Sequence, residues 1–222
     1  EHVRASKTPT MLFSLEMGVD QVVQAMASME CGISSWRVED DFEPNQDKLI
    51  KACERFAGAL GRFFYVRDDV YKINDIEHEI HMAVRRHKPS IIFIDYLQLV
   101  EPPHVRGMNR EQQVAYMSRR LKQAAQTHRV PIIALAQMGR EYEKESRRPR
   151  LSDLRESGSL EQDADRVWFI HHDPKDEPVN GILPVTLIQE KCRGGSQGEL
   201  RIGFQKKTTK FRFDLPLGWE NE

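Results

Sequence analysis

The sequence predicts a single α/β domain spanning residues 1–222, built on a mostly parallel sheet flanked by helices and finished by a C-terminal antiparallel hairpin. Three observations predict it. Short apolar runs alternate with helix-length amphipathic stretches, the pattern of strand–helix–strand crossovers. The runs Ile91-Ile92-Phe93-Ile94 and Ile132-Ile133-Ala134-Leu135 are continuously apolar rather than alternating, which suits central strands covered on both faces. After Gly181 the pattern changes, and Leu200–Gln205 and Thr209–Phe213 read as antiparallel strands paired around Lys206-Lys207.

In chain order, the expected strands are Met11–Leu15, Phe63–Val66, Ile91–Leu97, Ile132–Ala136, Val167–His171 and Val185–Gln189. Helix-period stretches fall at about 19–30, 47–60, 73–87 and 109–129. The first shows an apolar row of Val22, Ala25, Met26 and Met29, and the last one of Val114, Met117, Leu121, Ala124 and Ala125. Asn109 is placed to cap the start of that last helix, and Val130-Pro131 to end it. The run from Arg140 to Pro149 is too charged to bury and reads as an exposed loop.

Bulk properties exclude more than they select. The 33 basic and 34 acidic side chains nearly cancel, so a nucleic-acid partner would need a local patch rather than net charge. Cys31, Cys53 and Cys192 contain no CxxC pair, which fits reduced thiols in a cytoplasmic protein. No apolar run approaches the roughly 18 residues of a membrane span, and no secretory leader is visible. His78 and His81 are three apart, and His171-His172-Asp173 close a strand; neither set has zinc-ligand spacing.

Ligands of open parallel sheets bind beyond the carboxyl ends of the strands. Three polar residues follow apolar runs directly: Glu16 after Met11–Leu15, Asp95 after Ile91–Ile94, and Gln137 after Ile132–Ala136. A strand-end Asp after four apolar residues is the Walker B pattern, whose carboxylate helps to hold Mg²⁺ on a nucleotide. A second carboxylate could polarise the attacking water, and an amide could sense the γ-phosphate. Taken singly, each is more often a turn former or a solvated side chain.

Five stretches carry a resemblance. Phe13-Ser14-Leu15-Glu16-Met17, Ile92–Leu99, Ala134–Arg140, Asp153–Asp165 and Lys191-Cys192-Arg193-Gly194-Gly195 are similar, in the same order, to the motifs of DnaB-type replicative DNA helicases. The thirteen positions from Asp153 to Asp165 are the most specific. The resemblance implies a RecA-like fold and an ATP- and Mg²⁺-dependent helicase that works as a homo-hexamer on single-stranded DNA, with primase and a helicase loader as partners. It implies Glu16 as the catalytic carboxylate, Asp95 as the Mg²⁺ residue acting through water, and Gln137 as the γ-phosphate sensor. Lys191 and Arg193 would enter the neighbouring subunit's site, Arg193 as an arginine finger. Arg155, Glu156 and Gly158 would grip the strand, while Ser152 and Ser159 also look like helix caps.

The phosphate-cradling G-x-x-x-x-G-K-[ST] motif does not occur. Ser6-Lys7-Thr8 lies too close to the strand at Met11 to leave room for the helix that must follow such a loop. Two expectations follow: a helicase motor domain lacking its Walker A strand, loop and helix, or a non-catalytic DnaB-like ring or DNA-binding module. On either, this polypeptide alone is expected to bind ATP poorly.

Overall fold

The computed structural model describes residues 8–34, 42–59, 62–103, 107–139 and 147–213. The chain divides into two compact units, neither a continuous stretch: residues 1–23, 53–137 and 156–163 form one, and residues 24–52, 138–155 and 164–222 the other.

The first unit holds four parallel strands: β1 (Thr10–Ser14), β2 (Phe64–Arg67), β3 (Ile91–Asp95) and β4 (Ile132–Ala134), in the order β2-β1-β3-β4. Two helices, α1 (Val19–Cys31) and α2 (Phe42–Ala59), contribute residues to both units. The others here are α3 (Ile73–Arg86), α4 (Arg110–His128) and the short α5 (Gly158–Asp163).

Ile73, Ile76, Ile80 and Ala83 of α3 are buried at helical spacing, one apolar face packed into the core with Phe13, Ile92 and Ile94. Val114, Met117 and Leu121 of α4 join the same core. Burying each such aliphatic side chain is worth roughly 1.5–3 kcal/mol. α4 begins as expected: the Asn109 side chain accepts from Gln112 N at 2.9 Å, and Gln112 Oε1 accepts from Asn109 N at 3.0 Å, a capping box. It ends at Arg129, which takes a left-handed conformation (φ 53°) before Val130-Pro131. Arg120 of α4 ties to Glu77 of α3, with the aliphatic faces of both helices beneath.

β3 and β4 are shorter than the apolar runs suggested. After Asp95 the chain tightens into a 3-10 turn over Leu97–Leu99, with Leu97 wholly buried, so apolarity continues where the strand does not.

The second unit is an antiparallel sheet: β5 (Arg166–His171), β6 (Ile182–Cys192), β7 (Gly198–Gln205) and β8 (Lys210–Arg212). The expected hairpin around Lys206-Lys207 is present, and the antiparallel part extends back to β5. Residues 172–181 are too few for a parallel crossover, which needs a dozen or more. Asn180 and Gly181, both at positive φ, turn the chain into β6. Leu154, Phe169 and Ile188 form one small buried cluster in this unit, and Ile182, Val185 and Ile202 are buried as well. No helix among the described residues is long and apolar enough to cross a membrane, and Cys31, Cys53 and Cys192 are not joined in disulfides.

Candidate functional site

Because β1, β3 and β4 run the same way, Glu16, Asp95 and Gln137 all follow carboxyl ends of strands on one edge of one sheet. Ser14 pairs with Asp95 in register, and Leu15 N–H donates to the Asp95 carbonyl at 2.7 Å. Glu16, one residue further on, is exposed. Burial pushes the Asp95 carboxyl above the ordinary carboxylate range, and the charge of Glu16 pushes it further the same way. Asp95 therefore lies within electrostatic reach of Glu16.

The turn bearing Glu16 is held from two sides. Ser14 Oγ donates to the Met17 carbonyl at 2.7 Å, and Val19 N–H donates to Asp68 Oδ2 at 2.8 Å. Asp68 thus caps the start of α1. The strand-end rule missed Asp68 because the apolar run ends at Val66, whereas β2 extends to Arg67 and leaves Asp68 on the same edge. Gln98 and Arg110 were also missed. The Gln98 side chain donates to the Gln137 carbonyl at 3.0 Å and accepts from Gln137 N–H at 3.1 Å, while Arg110 Nη2 donates to the Gln98 carbonyl at 2.6 Å. Gln98 lies in a turn rather than at a strand end, and no periodicity marks it.

Lys191 and Arg193 belong to the antiparallel unit. Lys191, half-buried, pairs with Val167 beside a β-bulge at Val167/Trp168, and Arg193 follows the last residue of β6. Arg193 N–H donates to the Asp165 carbonyl at 2.7 Å, and Arg193 Nη1 lies 3.2 Å from Asp165 Oδ1. The side chains of Arg193 and Asp165 are 61% and 55% exposed, so this ion pair is worth at most about 1 kcal/mol and is readily exchanged. The tight turn behind Arg193 needs its glycines: Gly194 has φ +80°, and a Cβ on Gly195 would stand 2.7 Å from Cys192 Sγ.

The segment Leu151–Ser157 is a kinked 3-10 stretch leading into α5. The side chains of Arg155 and Glu156 lie outside the described residues. Gly158 is exposed, and a Cβ there would meet nothing within 4 Å, leaving its backbone open to approach. The start of the stretch is pinned by Asp153, which accepts from Arg147 Nη2 at 2.7 Å, Arg147 Nη1 at 2.8 Å and Arg150 N–H at 2.7 Å. Those bonds, the Arg147 pair foremost, hold the Asp153 carboxyl below its ordinary range. The capping seen here is thus made by Asp153. Ser159 lies inside α5, its Oγ buried with no hydrogen-bond partner. Arg147 and Arg148 are drawn to Asp153 and Glu199, respectively, within the protein.

The carboxylate pair fits Mg²⁺ in one respect. Mg²⁺ takes hard oxygen donors, commonly one or two carboxylates with water and phosphate completing the shell. Among the described residues no cluster of three or more His, Cys, Asp or Glu could cage a metal unaided. The edge offers carboxylate oxygens of the kind that a hydrated Mg²⁺ accepts, and the described residues include no phosphate-cradling glycine loop.

Four parallel strands flanked by helices, with polar residues gathered at the carboxyl edge, are the architecture of a RecA-like core. A family model described as the DnaB-like helicase C terminal domain matches residues 1–213, and the chain belongs to that family. It is 35% identical over 214 residues to the replicative DNA helicase DnaC of Bacillus subtilis (strain 168), covering 91% of this chain and 46% of that protein. The chain thus spans about half the length of the curated relatives it matches. Among solved structures, one described as an ATPase domain matches with a TM-score of 0.80 and 31% identity, covering 93% of this chain and 74% of that one. A DnaB-like replicative helicase studied with its primase interactions matches at a TM-score of 0.81 and 32% identity, covering 93% and 50%.

Proposed function

We propose that the chain is the single motor domain of an ATP-dependent replicative DNA helicase, cytoplasmic and hexameric, that translocates on single-stranded DNA. The observation that carries this reading is the gathering of Glu16, Asp95 and Gln137 at the carboxyl edge of one parallel sheet. The names of the relatives supply the biological setting. A partnership with primase is supported by the helicase of similar fold studied with one; a helicase loader is part of the same reading.

Mg²⁺ and ATP, when bound, supply the metal charge and the γ-phosphoryl group. Asp95 would help to hold the metal, and Glu16 would orient the attacking water and take its proton on a carboxylate oxygen. Gln137 donates its side-chain amide toward the γ-phosphate. Lys191 and Arg193, carried on another unit of the chain, reach the site of a neighbouring copy, where Arg193 neutralises charge developing on the transferring oxygens. Making the finger a neighbour's residue ties hydrolysis to assembly. Arg155 and the backbone at Glu156 and Gly158 contact the phosphates of the DNA strand.

The test is single-strand-stimulated ATP hydrolysis by this chain beside the same chain joined to the phosphate-loop segment of a family member. Hydrolysis only in the joined protein, lost in Glu16→Gln, supports the motor. No hydrolysis in either, with strand binding lost in Arg155→Ala but kept in Arg193→Ala, identifies a non-catalytic ring or DNA-binding module instead.

A further inference from the structure

We infer that Gln98 is a positioning residue for Gln137, fixing where the amide of Gln137 stands relative to Asp95; the inference rests on the motor reading above. The ladder between β3 and β4 ends early. Leu135 N–H donates to the Ile94 carbonyl at 2.9 Å, and Leu97 N–H to the Leu135 carbonyl at 2.9 Å. Beyond that point the chain after β3 has entered the Leu97–Leu99 turn, so its backbone no longer runs beside the segment leading to Gln137. The Gln98 side chain takes over the pairing. Its Nε2 donates to the Gln137 carbonyl at 3.0 Å, and its Oε1 accepts from Gln137 N–H at 3.1 Å.

Both polar functions of one side-chain amide are thus spent on one residue's backbone. Two such bonds fix position and rotation together, as one could not. The requirement is for a donor and an acceptor at the end of a two-methylene arm. Glu lacks the donor, Asn is one methylene short, and Met has the length without either function. Gln98 is itself anchored, because its carbonyl accepts from Arg110 Nη2 at 2.6 Å at the start of α4. Asp95, three residues earlier on the same segment, feels Glu16. A displacement of the Asp95 segment would therefore carry the Gln137 backbone with it.

The pair is solvent-facing, where a hydrogen bond adds little net stability, so its value lies in placement. A misplacement of reacting groups by about 1 Å costs up to roughly a hundredfold in rate.

The test compares Gln98→Met and Gln98→Glu with the parent in two readouts. In the 222-residue chain, amide hydrogen exchange is followed at Gln137 and, as an internal control, at Leu135. In the chain joined to a phosphate-loop segment, kcat and KM for ATP are measured with single-stranded DNA present. In Gln98→Met, the Gln137 amide is expected to exchange about tenfold faster, with Leu135 unchanged, and kcat to fall about tenfold at a KM within about twofold of the parent. Gln98→Glu keeps the acceptor, so the Gln137 amide stays protected while kcat still falls.

Unchanged exchange at Gln137 in Gln98→Met overturns the clamp. A loss of kcat that follows a lowered melting temperature, with Leu135 exchanging faster as well, overturns positioning in favour of a structural role. If the joined parent hydrolyses no ATP, the motor reading fails by itself, and the exchange result still decides the clamp.

Discussion

In the unit built on β1–β4 every strand runs the same way, whereas in the unit built on β5–β8 each strand reverses the one before. The first arrangement sends every strand's carboxyl end to one edge, so Glu16, Asp68, Asp95 and Gln137 collect there although 121 positions separate the first from the last. The second sends strand ends alternately to opposite edges. Lys191 and Arg193 accordingly sit at the end of one strand, Arg193 exposed and held by an exchangeable ion pair. One unit can assemble a site by itself. The other leaves Arg193 exposed and Lys191 half-buried, and the role proposed for both in a second copy is tested through variants of Arg193.

The largest effect expected is in the antiparallel unit. Arg193→Ala in the phosphate-loop-joined protein should lower steady-state ATP hydrolysis by about 10³-fold, with the folding of the isolated chain unchanged by circular dichroism. Arg193→Lys keeps the charge and loses the planar fork, so it should recover only part of that loss. At the sheet edge, Glu16→Gln should cost about 10²- to 10³-fold in kcat while leaving nucleotide affinity intact in a fluorescence titration. Equal loss of affinity would place Glu16 in binding rather than in water activation.

Asp153 sharpens the comparison through stability rather than rate. Its folded pKa is depressed, so its contribution is present above the unfolded carboxylate value and is lost as pH falls through the folded one. Asp153→Asn should therefore lower the unfolding free energy at neutral pH by about 1–2 kcal/mol in urea titrations. The difference from the parent should vanish in acid.

The smallest effect has the opposite sign. Asp95 is raised, so its ionised form opposes folding once pH passes the ordinary carboxylate value, and that opposition is complete above the raised folded value. Asp95→Asn should raise the melting temperature slightly at neutral pH in metal-free buffer, and should have no effect at low pH. A fall instead would show that the carboxylate is held by bonds rather than crowded by burial and Glu16.

Periodicity and strand-end position made much of this legible. The helix at about 73–87, the Asn109 cap and the strand-end positions of Glu16, Asp95 and Gln137 could all be read because burial and direction leave a regular trace in one sequence. What escaped has a common cause. Leu97 is apolar and buried but lies in a turn, so the strand was drawn too long. Gln98, Arg110 and Asp153 act through side-chain-to-backbone bonds set by tertiary placement, which no spacing records. The extent of the antiparallel sheet depended on loop length, and residues 172–181 carried that information. In α1 the row Val22, Ala25, Met26 and Met29 is half-buried, whereas Ala27 and Ser28 go deepest, because small side chains allow the closest approach.

The most direct test mixes two inactive forms of the phosphate-loop-joined protein. Glu16→Gln subunits keep the finger and lack the base; Arg193→Ala subunits keep the base and lack the finger. If Arg193 serves a neighbour's site, a random equal mixture should place an intact base beside an intact finger at about a quarter of the interfaces, and hydrolysis should return to about that fraction of the parent rate. A mixture as inactive as its components would contradict a site shared between copies.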